Sequence, residues 1–243
     1  MLQIYGLTDI GLIRKENQDC FSIKRGSRYT LAVLCDGMGG ENSGKEAAEK
    51  TCSVFIDRFT AAYTPKYSLN SVRNLLVSCV NIANSTVYTE SQRDFRKSGM
   101  GTTCVAAFVC DDLLQLVNVG DSRAYYISEK TIKRITRDHT VSEMLLASGE
   151  ITEDEVMTHP QRNYLTRAVG VAKQLNPDYF EMPFGLGDAV LLCSDGLTKY
   201  CSDDEIFRFA HQTKPSEIPE KFISTVNERG GKDNTTVVIL YNY

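Results

Sequence analysis

No apolar run in this 243-residue chain comes near the roughly 18 residues that a membrane span needs. The longest, Leu31–Cys35 and Ala189–Cys193, are strand-sized. The start, Met1-Leu-Gln-Ile-Tyr-Gly, lacks the basic, apolar and small-residue regions of a secretory signal, so the expected location is the cytoplasm. Prolines are few, 6 in all, and no block of five like charges occurs. That excludes a Pro-rich or polyelectrolyte chain and disfavours nucleic acid as the main partner, as does the formal net charge of -4. No C-x-x-C pair exists among the 8 cysteines, and Cys35, Cys104, Cys110 and Cys193 lie in or at the end of apolar runs. These read as reduced, core-filling thiols.

What is present is a core-forming composition, 42% hydrophobic and 24% charged, of a length that suits one domain over residues 1–243. Gln3–Thr8, Cys20–Lys24 and Thr30–Cys35 have strand patterns. From Ser43 to Phe59 and from Ser68 to Thr89 the apolar residues recur at helical spacing, each giving one buried face. The period returns to that of strands in Thr102–Val109, Leu113–Val119, Arg123–Ile127 and Thr131–Ile135. The short turns between these four, Cys110-Asp-Asp, Gly120-Asp-Ser and Ser128-Glu-Lys, favour a meander of antiparallel hairpins. Thr140 to Asp178 breaks the rhythm, with a short helical piece at Ser142–Ala147, and reads as a flap. A strand at Ala189–Ser194, helices near Ser202–Thr213 and Ser216–Arg229, and a last strand at Thr235–Leu240 follow. Ser202 with Glu205 has the form of a capping box. Strands at both ends of the chain and two helical pairs suggest an α+β fold, two antiparallel sheets packed face to face with helices outside.

The informative pattern is the position of the acids. Asp36 directly follows the buried run Leu31–Cys35 and leads into Gly37-Met-Gly-Gly40; Asp195 follows Ala189–Ser194 and leads into Gly196. Asp233 stands just before the last apolar strand, and Asp121 lies between two strands. Each alone is an ordinary turn residue. Together they can converge at one end of a sheet sandwich, where clustered carboxylates must protonate or bind cations. An oxygen-only donor set suits Mg2+ or Mn2+, and neither histidine nor cysteine has zinc spacing. The glycine-rich Asp36-Gly-Met-Gly-Gly40 matches neither a Walker loop nor a dinucleotide fingerprint.

The ordered set Arg14-Lys-Glu-Asn-Gln-Asp19, Asp36-Gly-Met-Gly-Gly40, Gly101-Thr-Thr103, Gly120-Asp-Ser-Arg123, Asp138-His-Thr140, Leu165-Thr-Arg-Ala-Val-Gly170, Ser194-Asp-Gly-Leu197 and Asp233-Asn-Thr235 strongly resembles the bacterial metal-dependent protein phosphatase 2C family. The blocks span nearly the whole chain in order. The resemblance implies a four-layer αββα sandwich with a metal centre in a cleft at one end. It implies that Asp36 bridges two Mn2+ or Mg2+ ions, that the Gly37 carbonyl binds one of them, and that Asp195 and Asp233 complete the other. Asp121 with Asp195 resembles the third-metal site of bacterial members. Asp19 and Gln18 would act through metal-bound waters. Arg14 matches the phosphate-binding arginine, and residues 141–166 match the family's flap.

The implied reaction is hydrolysis of phosphoserine and phosphothreonine in proteins by activated water, without a phosphoenzyme. The implied partners are phosphoproteins, among them a bacterial eukaryotic-like Ser/Thr kinase and its substrates. A catalytically silent pseudophosphatase is the alternative, which the intact Arg14, Asp36, Asp195 and Asp233 oppose. Met38 stands where eukaryotic members carry a histidine, which leaves the general acid unassigned; a metal-bound water is the preferred donor. His139 reads as structural, His159 and His211 as surface or flap residues. Arg162 and Arg167 could meet a phosphopeptide or anchor the flap. Nothing such as a heptad seam demands association, so a monomer is expected.

Overall fold

A computed structural model describes residues 2–39, 43–156 and 158–243, so Gly40 of the glycine-rich block lies outside the described residues. Two antiparallel sheets stack in the middle. The first has five strands: β1 (Leu2–Asp9), β11 (Thr235–Asn242), β10 (Ala189–Cys193), β7 (Arg123–Ile127) and β8 (Ile132–Arg134), in that spatial order. The second has six: β2 (Asp19–Arg25), β3 (Tyr29–Met38), β5 (Cys104–Cys110), β6 (Leu113–Val119) and β9 (Asp178–Pro183) in order, with the short β4 (Gly101–Thr102) on β3. Helices α1 (Ser43–Ala62) and α2 (Leu69–Arg93) cover the second sheet. Helices α5 (Asp195–Thr198), α6 (Asp203–Gln212) and α7 (Ile218–Glu228) cover the first. The short α3 (Val141–Ser148) and α4 (Glu153–Val156) belong to the flap. Among the described residues no helix is long and apolar enough to cross a membrane.

The period-2 alternation of each strand divides its side chains between two cores. On β3, Leu31, Val33 and Cys35 face α1 and α2, while Ala32 and Leu34 face the other sheet. On β10, Leu191 and Cys193 face the α5–α7 layer, while Val190 and Leu192 face inward. Three apolar layers result, which is the packing logic of the αββα sandwich. All eight cysteines are free thiols, most of them buried in these layers.

Two expectations are corrected. The four central strands do not form one meander. β5 and β6 are a hairpin of the second sheet and β7 and β8 a hairpin of the first, so Gly120-Asp-Ser carries the chain across from sheet to sheet. The short turn looked like a hairpin because turn length does not say which sheet receives the next strand. The partner of β6 is instead β9, which starts where the irregular stretch ends and was not read as a strand. Its Phe180 and Met182 pack inward while Glu181 stays exposed, as an edge strand permits. The capping box at Ser202 and Glu205 is present in full, and Ser68 caps α2.

The outer layer over the second sheet is anchored by an aromatic cluster, in which Phe59 meets Tyr29, Tyr63 and Phe108 at centroid distances of 5.2 to 5.8 Å. Phe59 has no exposed surface. Phe59→Ala should therefore cost about 3–5 kcal/mol, read as a lower midpoint in urea unfolding without a change of slope.

Candidate active site

The same alternation that builds the inter-sheet core delivers polar groups to one end of it. Asp36 continues the inward face of Ala32 and Leu34, and Asp19, its register partner on β2, continues that of Phe21 and Ile23. Ser194 extends Val190 and Leu192, and Thr236 precedes Val238 and Leu240 on the same face. These four meet. Asp19 Oδ2 accepts from Ser194 Oγ at 2.8 Å and from Thr236 Oγ1 at 2.7 Å. Ser194 stands at the N-cap of α5 but does not cap it, because its hydroxyl serves Asp19 and the Thr236 N–H. Asp19 Oδ1 is buried with no hydrogen-bond partner.

Around this floor runs a cleft of 620 Å³ whose lining includes Arg14, Gln18, Asp36, Gly37, Asp121, Asp195 and Asp233. The expected site residues, Asp19 beneath them, are thus gathered in one place. Two glycines make the approach possible. A Cβ on Gly37 would stand 2.2 Å from the Gly44 carbonyl oxygen, and one on Gly196 would stand 2.0 Å from that of Asn234. Gly196 is what lets the Asp195 turn lie against the Asp233 turn.

The sequence blocks without acids hold the acids in position. Thr103 accepts from the Asp36 N–H at 2.8 Å and lies 2.7 Å from Ser122 Oγ, while Thr102 Oγ1 donates to the Asp36 carbonyl. Arg123 grips Asp138 through Nε and Nη2, the shortest contact being 2.6 Å. Buried His139 accepts the Gly120 N–H on Nδ1 at 3.1 Å and faces Asp178 with Nε2 at 3.1 Å. This arrangement fixes the proton on Nε2, and burial lowers the pKa despite Asp178. His139 is thus a strut of the crossover that carries Asp121, as the structural reading held. Asn234 donates to the Ile10 and Glu16 carbonyls and accepts the Gln18 N–H, tying down the segment that holds Arg14. In the flap, Arg167 is an anchor, bound to Asp178 at 2.7 Å and to the Asn176 carbonyl. Arg162 lines a second groove of 340 Å³ that adjoins the cleft at Asp121, Asp195 and Lys199. His159 sits in the flap, and His211 on the surface stacks on Phe207.

The electrostatics are those of like charges forced together. Burial, then Asp19, Asp195, Asp121 and Asp233, drive the Asp36 pKa well above the usual range. Burial raises Asp19 to about 6 and, with Asp195, Asp121 to about 7. Asp195 is raised by burial against the pull of Lys199. Asp233 alone goes down: burial opposes ionisation, but Lys199 at 2.8 Å and Arg14 at 2.8 Å outweigh it. Lys199, four residues after Asp195 at the C-cap of α5, was not anticipated; its i,i+4 spacing to Asp195 was the available signal.

The donor set fits hard divalent ions. All candidate donors are carboxylate or carbonyl oxygens, the acids outnumber the cations paired with them, and among the described residues Asp19 Oδ1 has no hydrogen-bond partner. Among the described residues no three His, Cys, Asp or Glu side chains already stand at metal-binding spacing. Lys199 between Asp195 and Asp233 is a visible reason, since its ammonium occupies the space where their oxygens would converge.

Raised acids set the sign of the pH dependence without metal. Asp121, raised from 3.8 to about 7, adds stability that is full below pH 3.8 and is lost as pH rises through about 7. Asp19 acts likewise with its value of about 6. Thermal melts in EDTA should therefore show stability contributed by these acids falling between about pH 4 and 7. Asp121→Asn should flatten the part of that fall nearest neutrality.

Comparison with known proteins agrees with this geometry. A family model described as Protein phosphatase 2C matches residues 14–233. The serine/threonine phosphatase stp of Listeria monocytogenes is 33% identical over 235 residues, 96% of this chain and 93% of that protein. The crystal structure of serine/threonine phosphatase Stp1 from Staphylococcus aureus superposes with a TM-score of 0.93 at 35% identity, covering 100% of this chain and 96% of that one. The catalytic domain of the serine threonine protein phosphatase PstP, solved with 2 manganese ions, has a TM-score of 0.85 at 30% identity, covering 99% and 97%. With the acids on one cleft of an αββα sandwich and the family's blocks in order along it, the chain belongs to the bacterial protein phosphatase 2C family.

Proposed function

We propose that this chain hydrolyses phosphoserine and phosphothreonine in proteins with water as the nucleophile, using Mn2+ or Mg2+ and forming no phosphoenzyme. The enzyme class, protein-serine/threonine phosphatase, is that of the family. The observation that carries the mechanism is the convergence of Asp36, Asp121, Asp195 and Asp233 with Arg14 on one cleft, too many half-buried carboxylates to ionise together without cations.

When bound, two divalent ions make water nucleophilic at neutral pH, orient it and neutralise phosphate charge. In this reading Asp36 would help to hold both, the Gly37 carbonyl one of them, and Asp195 and Asp233 the other, while Asp121 with Asp195 would hold a third. Asp19 and Gln18 orient waters from beneath and beside the acids. Arg14 grips phosphate oxygens with its planar fork and stabilises charge as the ester bond breaks. It is held to Asp233 at one end, yet 54% of its side chain is exposed, so it can turn towards a phosphate in the cleft. Met38 carries no proton to give, which leaves protonation of the leaving alkoxide to water. The physiological task we infer is to reverse a bacterial eukaryotic-like Ser/Thr kinase, with phosphoproteins as partners and residues 1–243 acting as one catalytic unit.

Phosphate release from a phosphothreonine peptide tests this. With Mn2+ the protein should turn over, and EDTA should stop it. Asp195→Asn, checked for folding by circular dichroism, should lose ~100-fold or more in kcat. A folded, metal-loaded protein that releases no phosphate from several peptides would sink the proposal. Arg14→Ala should lower kcat/KM by ~100-fold, and Arg14→Lys should restore only part, because a point charge cannot replace the two-pronged grip.

A further inference from the structure

Lys199 brings a full positive charge into the cleft. Its Nζ lies 2.6 Å from Asp195 Oδ2 and 2.8 Å from Asp233 Oδ2, while Arg14 takes the other oxygen of Asp233 at 2.8 Å. Asp195 and Asp233 are the carboxylates assigned above to the second divalent ion, and the role of Lys199 rests on that assignment. An ammonium and a divalent ion compete for these two carboxylates, because the two cations repel each other at that distance.

We infer that Lys199 is a resident counter-ion, which holds the second ion's place in the metal-free protein and must leave before Asp195 and Asp233 can take a divalent cation. Three features support this. The two contacts are short and both end on the expected ligands. The lysine stem is long and rotatable, and 36% of the side chain is exposed, so it is free to swing. There is also somewhere to go: Lys199 lines both the cleft and the adjoining groove, where Glu153 can accept its charge beside Asp138 and Glu143, which Arg123 and Arg134 already hold. Binding at this position is then an exchange of one cation for another. The lysine stabilises the empty site and weakens the ion by the same amount, since whatever binds only one of two states shifts the other by linkage. Lys199 is a positioning residue, acting on the acids and touching no reacting atom.

The test is Mn2+ binding to the whole chain by isothermal titration calorimetry, without substrate, together with melting in EDTA and in Mn2+. Lys199→Met should bind Mn2+ about 10- to 100-fold more tightly. Its melting temperature should drop in EDTA and match or exceed that of the unaltered protein in Mn2+, a pair of opposite signs that lost packing alone does not produce. Lys199→Arg, which keeps the charge, should not tighten binding; Lys199→Gln replaces the Met variant if that one does not fold. Asp195→Asn is measured beside them. If it leaves Mn2+ binding unchanged, the ligand reading fails and the inference fails with it. If Asp195→Asn weakens binding but the neutral Lys199 variants bind no more tightly, the resident counter-ion alone is overturned.

Discussion

Repulsion among carboxylates in a single cleft is the constraint on which the rest of this molecule depends. Asp36, Asp121 and Asp195 each carry a pKa displaced upward by burial and by neighbouring carboxylates, and Asp19 below them shares the fate. No unstrained surface would collect such a set, because each acid loses solvation while gaining like-charged neighbours. The fold must therefore supply the stability that the cleft withholds. It does so with three apolar layers packed on both faces of two sheets.

That arrangement also explains where the rigidity lies. The cleft opens at the end of the inter-sheet core, so the strands that place Asp19, Asp36, Ser194 and Thr236 are the same ones that carry Leu34, Leu192 and Val238 inside. The hydroxyls of Thr103, Ser122, Ser194 and Thr236 form short hydrogen bonds across the seam between sheets. Beyond them, Arg123–Asp138 and His139 tie down the crossover that presents Asp121. Among the described residues Arg14 and Lys199 form ion pairs with these acids, and both converge on Asp233. It is the one acid of the group whose pKa falls. Charge balance in the cleft is thus local and incomplete, which is the condition under which added divalent ions bind well.

Much of this was legible along the chain. Strands such as Leu113–Val119 and Arg123–Ile127 were readable to the residue, because alternating apolar side chains leave little choice of register. The two long helices were legible too, though each runs three or four residues past its expected C-terminal end, as were the acids at the ends of buried strands, with the family's blocks around them. What escaped was long-range. The Gly120–Ser122 turn has the length of a hairpin but joins different sheets, and β9 pairs with a strand some sixty residues earlier. The structural duty of Thr103, the partners of His139, and the presence of Lys199 among the acids depend on neighbours remote in sequence.

The sequence by itself determined the periodicities, the breaks between them, and which residue types stand at the ends of the buried runs, since these are properties of neighbouring residues and of local backbone geometry. Only the tertiary structure decided that Asp19 and Asp36 share a rung, that the Asp195 and Asp233 turns touch across Gly196, and that Arg14 and Lys199 meet on one carboxylate. The physical reason is range. Hydrophobic alternation acts over a few residues, whereas desolvation and charge pairing depend on distance in space, which exists only once the two sheets have closed on each other.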